Sequence, residues 1–256
     1  MMKSKKTQPT VTSDRDIHIL IYLWKWKLAT THMLHYNFFD GRSKTTTYGR
    51  LYKLKSYGYI KTFKNESFEA WQLTKAGFQI VKSCLPDLKE QGFRSENQKH
   101  DLLCSLLHQG TLKTNEHKGI DFFTEQQLRR YADHSIHDWV PDSSIHRPDG
   151  YWKFTPNEIV ALEVETSMKS NARLKDTMQY YASHPNINGV LWVVPKPIYA
   201  QKILQFEKKN MCHNGLKHNI LSLKEVTNKL WQSKILAGPD EGLNIESFIT
   251  KKGQRT

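Results

Sequence analysis

The fold of the larger part of the chain is decided by residues 148–170, which have the sequence PDGYWKFTPNEIVALEVETSMKS. Residues 148–154 and 158–165 are rich in aromatic and β-branched side chains, and Thr155-Pro156-Asn157 separates them. Such runs, broken by a turn-forming segment, are typical of β-strands that pair with each other. The stretch therefore predicts a β-hairpin, and the remaining elements of this part of the chain are interpreted around it.

Carboxylates meet at one end of this predicted hairpin. Folding the chain back at the turn places Asp149 opposite Glu163, and Glu165 shares a face with Glu163 because side chains alternate along a strand. Crowded carboxylates repel one another, and a hard divalent cation such as Mg²⁺ or Mn²⁺ relieves the repulsion by taking oxygen ligands. Acids on a solvent-exposed face are the alternative, but the apolar run Ile159–Leu162 indicates a central strand. We therefore predict a metal site at Asp149, Glu163 and Glu165, able to activate water against a phosphodiester.

A basic segment follows the acidic strand. Lys169, Arg173 and Lys175 lie at the start of a predicted helix, where they are placed to meet a phosphate group or the attacking water. The helix, residues 172–182, leads to an apolar run at residues 189–195 that predicts a buried strand. A strand–helix–strand connection of this length implies parallel neighbouring strands with a right-handed crossover.

Other segments complete the expected C-terminal domain. They are a strand at 120–123, helices at 125–131 and 198–209, and a strand at 218–223. We therefore expect an α/β domain with a mixed sheet over residues 100–235. Residues 236–256 are expected to form a loosely held tail.

Residues 14–83 have the element order of a winged helix-turn-helix domain. Ser13, Thr30 and Ser43 are expected at the starts of three helices. The apolar period then changes to two at residues 58–63 and 70–73, which predicts two short strands around a polar turn. In winged helices the third helix enters the major groove of DNA and the hairpin, or wing, touches the backbone.

The third predicted helix has a basic outer face. Tyr48, Leu51 and Leu54 are expected to form its buried stripe. The residues expected to point outward and to contact DNA, together with two lysines of the wing, are Lys44, Thr46, Thr47, Arg50, Lys53, Lys61 and Lys64. A winged helix used for protein contacts or dimerisation is the alternative, and this basic set favours DNA.

The charge of the chain also favours a polyanionic partner. Formal net charge is +13, and residues 1–80 carry 14 Lys and Arg against 5 Asp and Glu. The apolar runs are too short to cross a bilayer, the polar N-terminus lacks the apolar core of a secretory signal, and the 3 cysteines are widely spaced. These features predict a cytoplasmic protein that binds double-stranded DNA and no membrane. Residues 84–99, charged and without periodicity, are the predicted linker between the domains.

The order Pro148-Asp149, then Glu163-x-Glu165 on the next strand, then a basic helix resembles the PD-(D/E)XK nuclease superfamily. Glu165 stands where the short motif carries Lys, so the resemblance implies that Lys169 or Lys175 supplies the lysine. Joined to a winged helix, the chain resembles the replication-relaxation group, and within it the MOBC-type plasmid mobilisation relaxases. The further segments that carry this similarity are His100-Asp101-Leu102, residues 124–129 and residues 161–170.

This resemblance implies a sequence-specific, metal-dependent DNA nickase that acts at a transfer origin, with a coupling ATPase and other mobilisation proteins as partners. By position, Asp149, Glu163 and Glu165 would bind Mg²⁺ or Mn²⁺, Lys169 would orient or activate the nucleophile, and Glu125 would be a supplementary acid.

Several alternatives stay open at this point. A transposon- or restriction-type endonuclease would share the same fold, and a regulator of replication or transcription would use the nuclease-like domain only to hold DNA or partners. Tyr180 and Tyr181 are candidates for a covalent tyrosine, with packing aromatics as the other interpretation.

Overall fold

The computed structural model describes residues 13–64, 68–114, 120–210 and 216–253. The chain divides into two compact units, residues 1–102 and residues 103–256. The polar N-terminus before residue 13, one of the three cysteines (Cys212) and part of the polar turn after Lys64 lie outside the described residues. Among the described helices, none combines the length and the apolar character needed to span a bilayer.

The first unit has three helices, a two-stranded hairpin and a fourth helix. In chain order the elements are α1 Asp14–Trp26, α2 Thr31–Phe38, α3 Lys44–Ser56, β1 Ile60–Lys64, β2 Glu69–Leu73 and α4 Lys75–Lys82. The predicted helix starts are confirmed: Thr30 Oγ1 accepts the N–H of Met33 at 3.3 Å, and Ser43 Oγ accepts the N–H of Thr46 at 3.2 Å. These side chains satisfy amide groups that a helix start leaves without partners.

Main-chain pairing holds the hairpin of the first unit against the helices. Ala29, which follows α1, exchanges hydrogen bonds with Trp71 of β2 at 3.1 and 2.8 Å. Gly77 of α4 lies so near Tyr59 that an added Cβ would stand 2.1 Å from the Tyr59 carbonyl oxygen. Only glycine allows this approach, so α4 is fixed beside the base of the hairpin.

Residues 84–99 were predicted as a linker, and the structure corrects this. Trp24 Nε1 donates to the carbonyl oxygen of Gly92 at 2.9 Å, and the ring of Phe93 stacks on Phe78 with centroids 5.1 Å apart. This segment has no helical or strand period because it packs through isolated side chains, so periodicity could not reveal it. It belongs to the first unit.

The second unit contains a six-stranded mixed sheet with the order β3-β4-β5-β6-β7-β8. Its strands are β3 Asp121–Thr124, β4 Gly150–Thr155, β5 Glu158–Val164, β6 Gly189–Val194, β7 Lys217–Ser222 and β8 Ile235–Ala237. The pairs β5–β6 and β6–β7 are parallel and the other three are antiparallel. The predicted mixed sheet is therefore confirmed.

Helices connect these strands. They are α5 Gln98–Thr114, which contains the boundary between the units, α6 Glu125–Arg130, α7 Asn171–Ala182, α8 Pro197–Asn210, α9 Leu223–Lys229 and α10 Ile245–Gly253. The crossover helices α7 and α8 join parallel strands, as a parallel sheet requires. The chain is thus a two-unit protein of mixed α and β structure, helical at its N-terminal end and built on a mixed sheet at its C-terminal end.

The segment predicted as a loose tail is part of the core, so that prediction is wrong. Residues Ile245, Phe248 and Ile249 of α10 are at most 1% exposed and pack in the same apolar cluster as Trp152 and Leu162 of the hairpin. Lys252, only 2% exposed, forms an ion pair with Glu158 at the start of β5. A nine-residue helix offers few turns from which to recognise periodicity, and its partners lie far away in sequence.

Candidate functional site

The hairpin register brings the predicted acids together. Gly150 of β4 pairs with Leu162 of β5, which places Asp149 beside Glu163 as the sequence predicts. Asp149 Oδ2 accepts the main-chain N–H of Val164 at 2.6 Å. Glu163 lies on β5, and Glu165 follows its end, where its N–H donates to Val193 of β6 at 2.8 Å. The carboxylates therefore stand on neighbouring strand ends in the middle of the sheet.

Lys169 reaches back to these acids from the loop before α7. Its Nζ lies 3.3 Å from Glu163 Oε2 and also forms an ion pair with Glu165. Because one ammonium group contacts both carboxylates, Glu163 and Glu165 share a face, as predicted. Burial alone would lower the pKa of Lys169, but the two glutamates raise it above its ordinary value. Lys169 therefore stays protonated at neutral pH.

Glu163 is the most enclosed of the acids, at 3% exposure. His146 Nε2 lies 2.6 Å from its Oε1, and the hydroxyl of Tyr181 donates to the same oxygen. Burial opposes ionisation, but Lys169, His146 and Tyr181 together lower the pKa of Glu163 to about 2. This carboxylate is accordingly ionised at any pH at which the protein would work.

Glu165 is in a different electrostatic position. Burial raises its pKa, the charges of Glu163 and Asp149 raise it further, and Lys169 lowers it by less than the sum of these effects. Asp149, Glu163 and Glu165 thus place three carboxyl groups at one corner of the sheet, two of them paired with Lys169. Carboxylate oxygens are the ligands that Mg²⁺ and Mn²⁺ prefer, and Asp149, Glu163 and Glu165 stay the predicted ligands of such an ion.

The remaining predicted acid, Glu125, lies beside Asp149. It is the first residue of α6, and its N–H donates to the main-chain oxygen of Asp149 at 3.2 Å. Glu125 therefore lies at the same corner of the sheet as Asp149, and its side chain is half-buried. The supplementary-acid role implied by the resemblance stays a prediction.

Sequence reasoning missed two contacts of this site. His146 is not among the predicted site residues, although it lies only three residues before Asp149 in the order His146-Arg147-Pro148-Asp149. Tyr181 was considered as a nucleophile, but it is fully buried, and burial together with Glu163 raises its pKa well above its ordinary value. Its neighbour Tyr180 is 4% exposed and donates to the carbonyl oxygen of Asp142 at 2.6 Å. Both tyrosines act as packing and hydrogen-bonding groups, which was the other interpretation.

A cavity of about 220 Å³ opens beside the acids. Its lining includes His146, Lys169 and Arg173, with Asp176 as the acidic member. Arg173 therefore lines the same cavity as Lys169, and its predicted role toward the phosphate stays a prediction. Lys175 instead lines a separate groove on another side of α7, so the two basic residues of this helix serve different surfaces.

The outer face of α3 in the first unit differs from the predicted one. Lys44, Thr46 and Lys53 are exposed, and so are Lys61 and Lys64 of the hairpin. Tyr48, predicted to be buried, is 45% exposed, and its ring stacks on that of Tyr52, itself 52% exposed, with centroids 6.4 Å apart. The buried stripe is Thr47, Leu51 and Leu54.

Thr47 and Arg50 do not belong to this outer face, which corrects the prediction that they contact DNA. Thr47 is fully buried, and its hydroxyl lies 2.7 Å from His35 Nδ1. The guanidinium of Arg50 forms two hydrogen bonds with the buried carboxylate of Asp16, one of them at 2.7 Å. Asp16 is 34 residues away in sequence, so helix periodicity alone could not assign Arg50 to it.

Replacing Arg50 by Ala is therefore expected to destabilise the first unit. The change leaves the Asp16 carboxylate, which is 0% exposed, without its cation, and such a loss costs about 3–5 kcal/mol. The free energy of unfolding from urea denaturation measures the effect. Lys53→Ala, at an exposed position of the same helix, is the control and should change it by less than about 0.5 kcal/mol. Equal stability of both variants would contradict the structural role of Arg50.

Comparisons with known proteins add little. No family model matches the chain. No curated protein matches it either. Among solved structures, the chain is similar to TrmBL2, described as an archaeal chromatin protein with a novel mode of DNA binding, at 10% identity over 82% of this chain and 78% of that chain. The TM-score of 0.18 is too low for this similarity to carry an argument.

Proposed function

We propose that the protein is a metal-dependent DNA endonuclease of the PD-(D/E)XK type, with an N-terminal winged helix that binds DNA. The observation that carries this proposal is that Asp149 lies beside Glu163 at neighbouring strand ends and that Lys169 pairs with both Glu163 and Glu165. Ordinary packing does not call for three acids in the middle of a sheet, because each must be desolvated.

In the proposed reaction Asp149, Glu163 and Glu165 hold Mg²⁺ or Mn²⁺. Such an ion would supply stabilisation of negative charge on the scissile phosphate and activation of the attacking water. Lys169, kept protonated by its two glutamates, donates hydrogen bonds to the phosphate or to the attacking water and does not serve as a base. Arg173, on the cavity beside it, contributes a second positive charge for the phosphate.

His146 and Tyr181 hold the first of these acids in place. Both bond to Glu163 Oε1, which leaves Oε2 directed toward Lys169. A carboxylate fixed in this way loses little further freedom when a cation or a phosphate arrives, so the site is arranged before substrate binds.

The first unit supplies binding to double-stranded DNA. Exposed lysines stand at both ends of α3 and on the hairpin, and the stacked rings of Tyr48 and Tyr52 lie between them on the helix. Lysines neutralise phosphates, whereas aromatic and hydroxyl groups on a helix in the major groove contact base edges. We assign affinity mainly to the lysines and sequence preference to the tyrosines.

Replacing Lys53 by Ala is expected to weaken duplex binding about equally for all sequences and to reduce the slope of log K against log salt by about 0.9, since one phosphate contact is lost. Fluorescence anisotropy titrations over a range of NaCl concentrations measure both quantities. Lys82→Ala, at an exposed position of α4, is the matched control and should leave the slope unchanged. A slope for Lys53→Ala equal to that of the control would show that α3 does not face DNA.

The finer proposal is a relaxase-like nickase at a transfer origin, which rests on the resemblance to MOBC-type mobilisation relaxases. In that case a coupling ATPase and other mobilisation proteins would be partners. A non-catalytic DNA-binding regulator is the second candidate, and one contact favours it: Lys169 partly compensates Glu163 and Glu165 without a metal.

Incubation with supercoiled plasmid carrying the DNA that surrounds the coding sequence tests these candidates. Open-circular product that requires Mg²⁺ or Mn²⁺ and is absent in EDTA is the result expected of a nickase. Linear product would identify a restriction- or transposon-type endonuclease. Salt-sensitive binding with no cleavage under either metal would favour the regulator and contradict the nuclease.

A further inference from the structure

Ile145 lies on a loop that is bonded to the rest of the second unit on both sides of this residue. The hydroxyl of Tyr180 donates to the carbonyl oxygen of Asp142 at 2.6 Å, and His146 Nε2 lies 2.6 Å from Glu163 Oε1. Between these two contacts the side chain of Ile145 is 86% exposed. Contact of so much aliphatic surface with water is unfavourable. Because the contacts of Asp142 and His146 hold the loop in place, the aliphatic side chain stays at the surface.

The position of Ile145 distinguishes it from an ordinary exposed apolar residue. Single exposed apolar side chains are common on protein surfaces. Among the large hydrophobic residues of the described ranges, however, the next most exposed is Tyr52, at 52%. Ile145 also lines the cavity beside the acids, and it directly precedes a residue that contacts Glu163. Met168, 39% exposed, likewise directly precedes Lys169, which contacts the same carboxylate. Two exposed apolar side chains therefore each stand one residue from a group of the candidate site.

Charged side chains surround Ile145. Arg147, on the same loop, and Arg173, in the lining of the same cavity, are both exposed. The nearby acids are Asp176, also in that lining, and Asp142, whose carboxylate accepts a main-chain N–H of the loop at 2.9 Å. A DNA duplex offers phosphates to the arginines and stacked bases to the isoleucine. A protein partner would need about 800 Å² of contact surface on each side, which two apolar side chains do not provide. Duplex DNA is therefore the partner that this surface fits.

We propose that Ile145 intercalates at a base step of duplex DNA and so determines part of the sequence specificity. An aliphatic side chain that enters a base step partly unstacks it and kinks the duplex, while the bases stay paired. The deformation costs least at pyrimidine–purine steps such as TA, so the cost at other steps creates a preference without any hydrogen bond to a base edge. This inference rests on the proposed function in that the second unit acts on DNA, but intercalation requires neither a metal nor cleavage.

Two DNA hairpins of the same base composition test the intercalation. One has a stem of about twenty alternating A·T and T·A pairs, with a TA step at every second position, and the other a stem of about twenty A·T pairs with no TA step. Fluorescence anisotropy titrations of the full chain in EDTA measure binding without cleavage. Wild type should bind the alternating stem at least about fivefold more tightly, and Ile145→Ser should reduce this ratio to less than about twofold. A wild-type ratio near one, or an unchanged ratio in Ile145→Ser, would overturn the proposal.

Two further variants separate intercalation from a general effect of the substitution. Leu236→Ser makes a similar change at a position 41% exposed in β8, with β6 and β7 between it and β5, and should keep the wild-type ratio. Ile145→Leu retains an aliphatic side chain that can enter a base step and should keep at least about half of the wild-type ratio. Loss of the ratio in Leu236→Ser, or in Ile145→Leu as in Ile145→Ser, would contradict intercalation by Ile145. Circular dichroism spectra verify that each variant is folded.

Failure of the intercalation and failure of the proposed nuclease can be told apart. If plasmid is cleaved but Ile145→Ser distinguishes the two stems as wild type does, the nuclease stands and the intercalation proposal is wrong. If plasmid is not cleaved under either metal but Ile145→Ser loses the preference for the alternating stem, the intercalation stands and the nuclease proposal is wrong.

Discussion

The variant Glu163→Gln is expected to lose metal-dependent DNA cleavage by at least about 10³-fold while it still binds DNA. Glu163 is the buried acid on which His146, Tyr181 and Lys169 converge, and it is fully ionised near neutral pH. Glutamine keeps the size of the side chain but removes the negative charge. The cation would lose an anionic ligand, and Lys169 would keep only Glu165 as a glutamate partner.

Initial rates of conversion of supercoiled to open-circular plasmid measure this loss. Glu241→Gln makes the same chemical change at an exposed loop position and should cleave at the wild-type rate. Because Glu163 is buried, Glu165→Gln provides a second variant that retains the three contacts of Glu163, and it should lose activity to a comparable degree. Cleavage by Glu163→Gln within about threefold of the control would remove the acidic cluster from the proposed mechanism.

A chain that lacks residues 233–256 is expected not to fold its second unit. The deletion removes Ile235, Ile245, Phe248 and Ile249 from the core, and each buried side chain of this kind contributes about 2–5 kcal/mol. The combined loss, about 8 kcal/mol or more, is comparable with the whole stability of a typical domain. It also leaves Glu158 without Lys252.

The melting transition by circular dichroism and the near-ultraviolet signal of Trp152 and Trp192, both fully buried, report this loss. A point variant grades the effect: Phe248→Ala is expected to cost about 3–5 kcal/mol. Leu236→Ala, at a position 41% exposed in β8, is its control and should cost less than about 1 kcal/mol. A truncated chain that melts cooperatively near the wild-type temperature would show that the C-terminal segment is dispensable.

The part of the candidate site that could be predicted from the sequence is the part that depends on local pattern. The hairpin around residue 156 follows from strand propensity and a turn, and its register alone places Asp149 beside Glu163. The positions of Glu165 and Lys169 follow from alternation along β5 and from the short loop after it.

The parts of the fold and of the site that the sequence did not predict depend on contacts between residues that are distant in sequence. Helix spacing alone places Arg50 on the outer face of α3, but its guanidinium bonds to Asp16 on α1. The buried residues of α3 are therefore not the ones that spacing predicts. Tyr181 of α7 contacts Glu163 of β5, and the spacing of apolar residues within α7 does not predict this contact. The exposed basic face of α3 was therefore predicted in part, and two of the residues named on it, Thr47 and Arg50, do not lie on it.

The ion pair between Glu158 and Lys252 has a consequence for biosynthesis. Glu158 opens the strand that carries Glu163, whereas Lys252 is translated 94 positions later. During translation the first unit has all of its own residues well before α10 leaves the ribosome, and domains generally fold in that order. The sheet that supports the acidic site, in contrast, cannot close its core until α10 has emerged. A nascent chain thus completes the first unit, with the exposed lysines of α3, before the sheet that carries its acidic site. Under the proposed function, the growing polypeptide would bind DNA before it could cleave it.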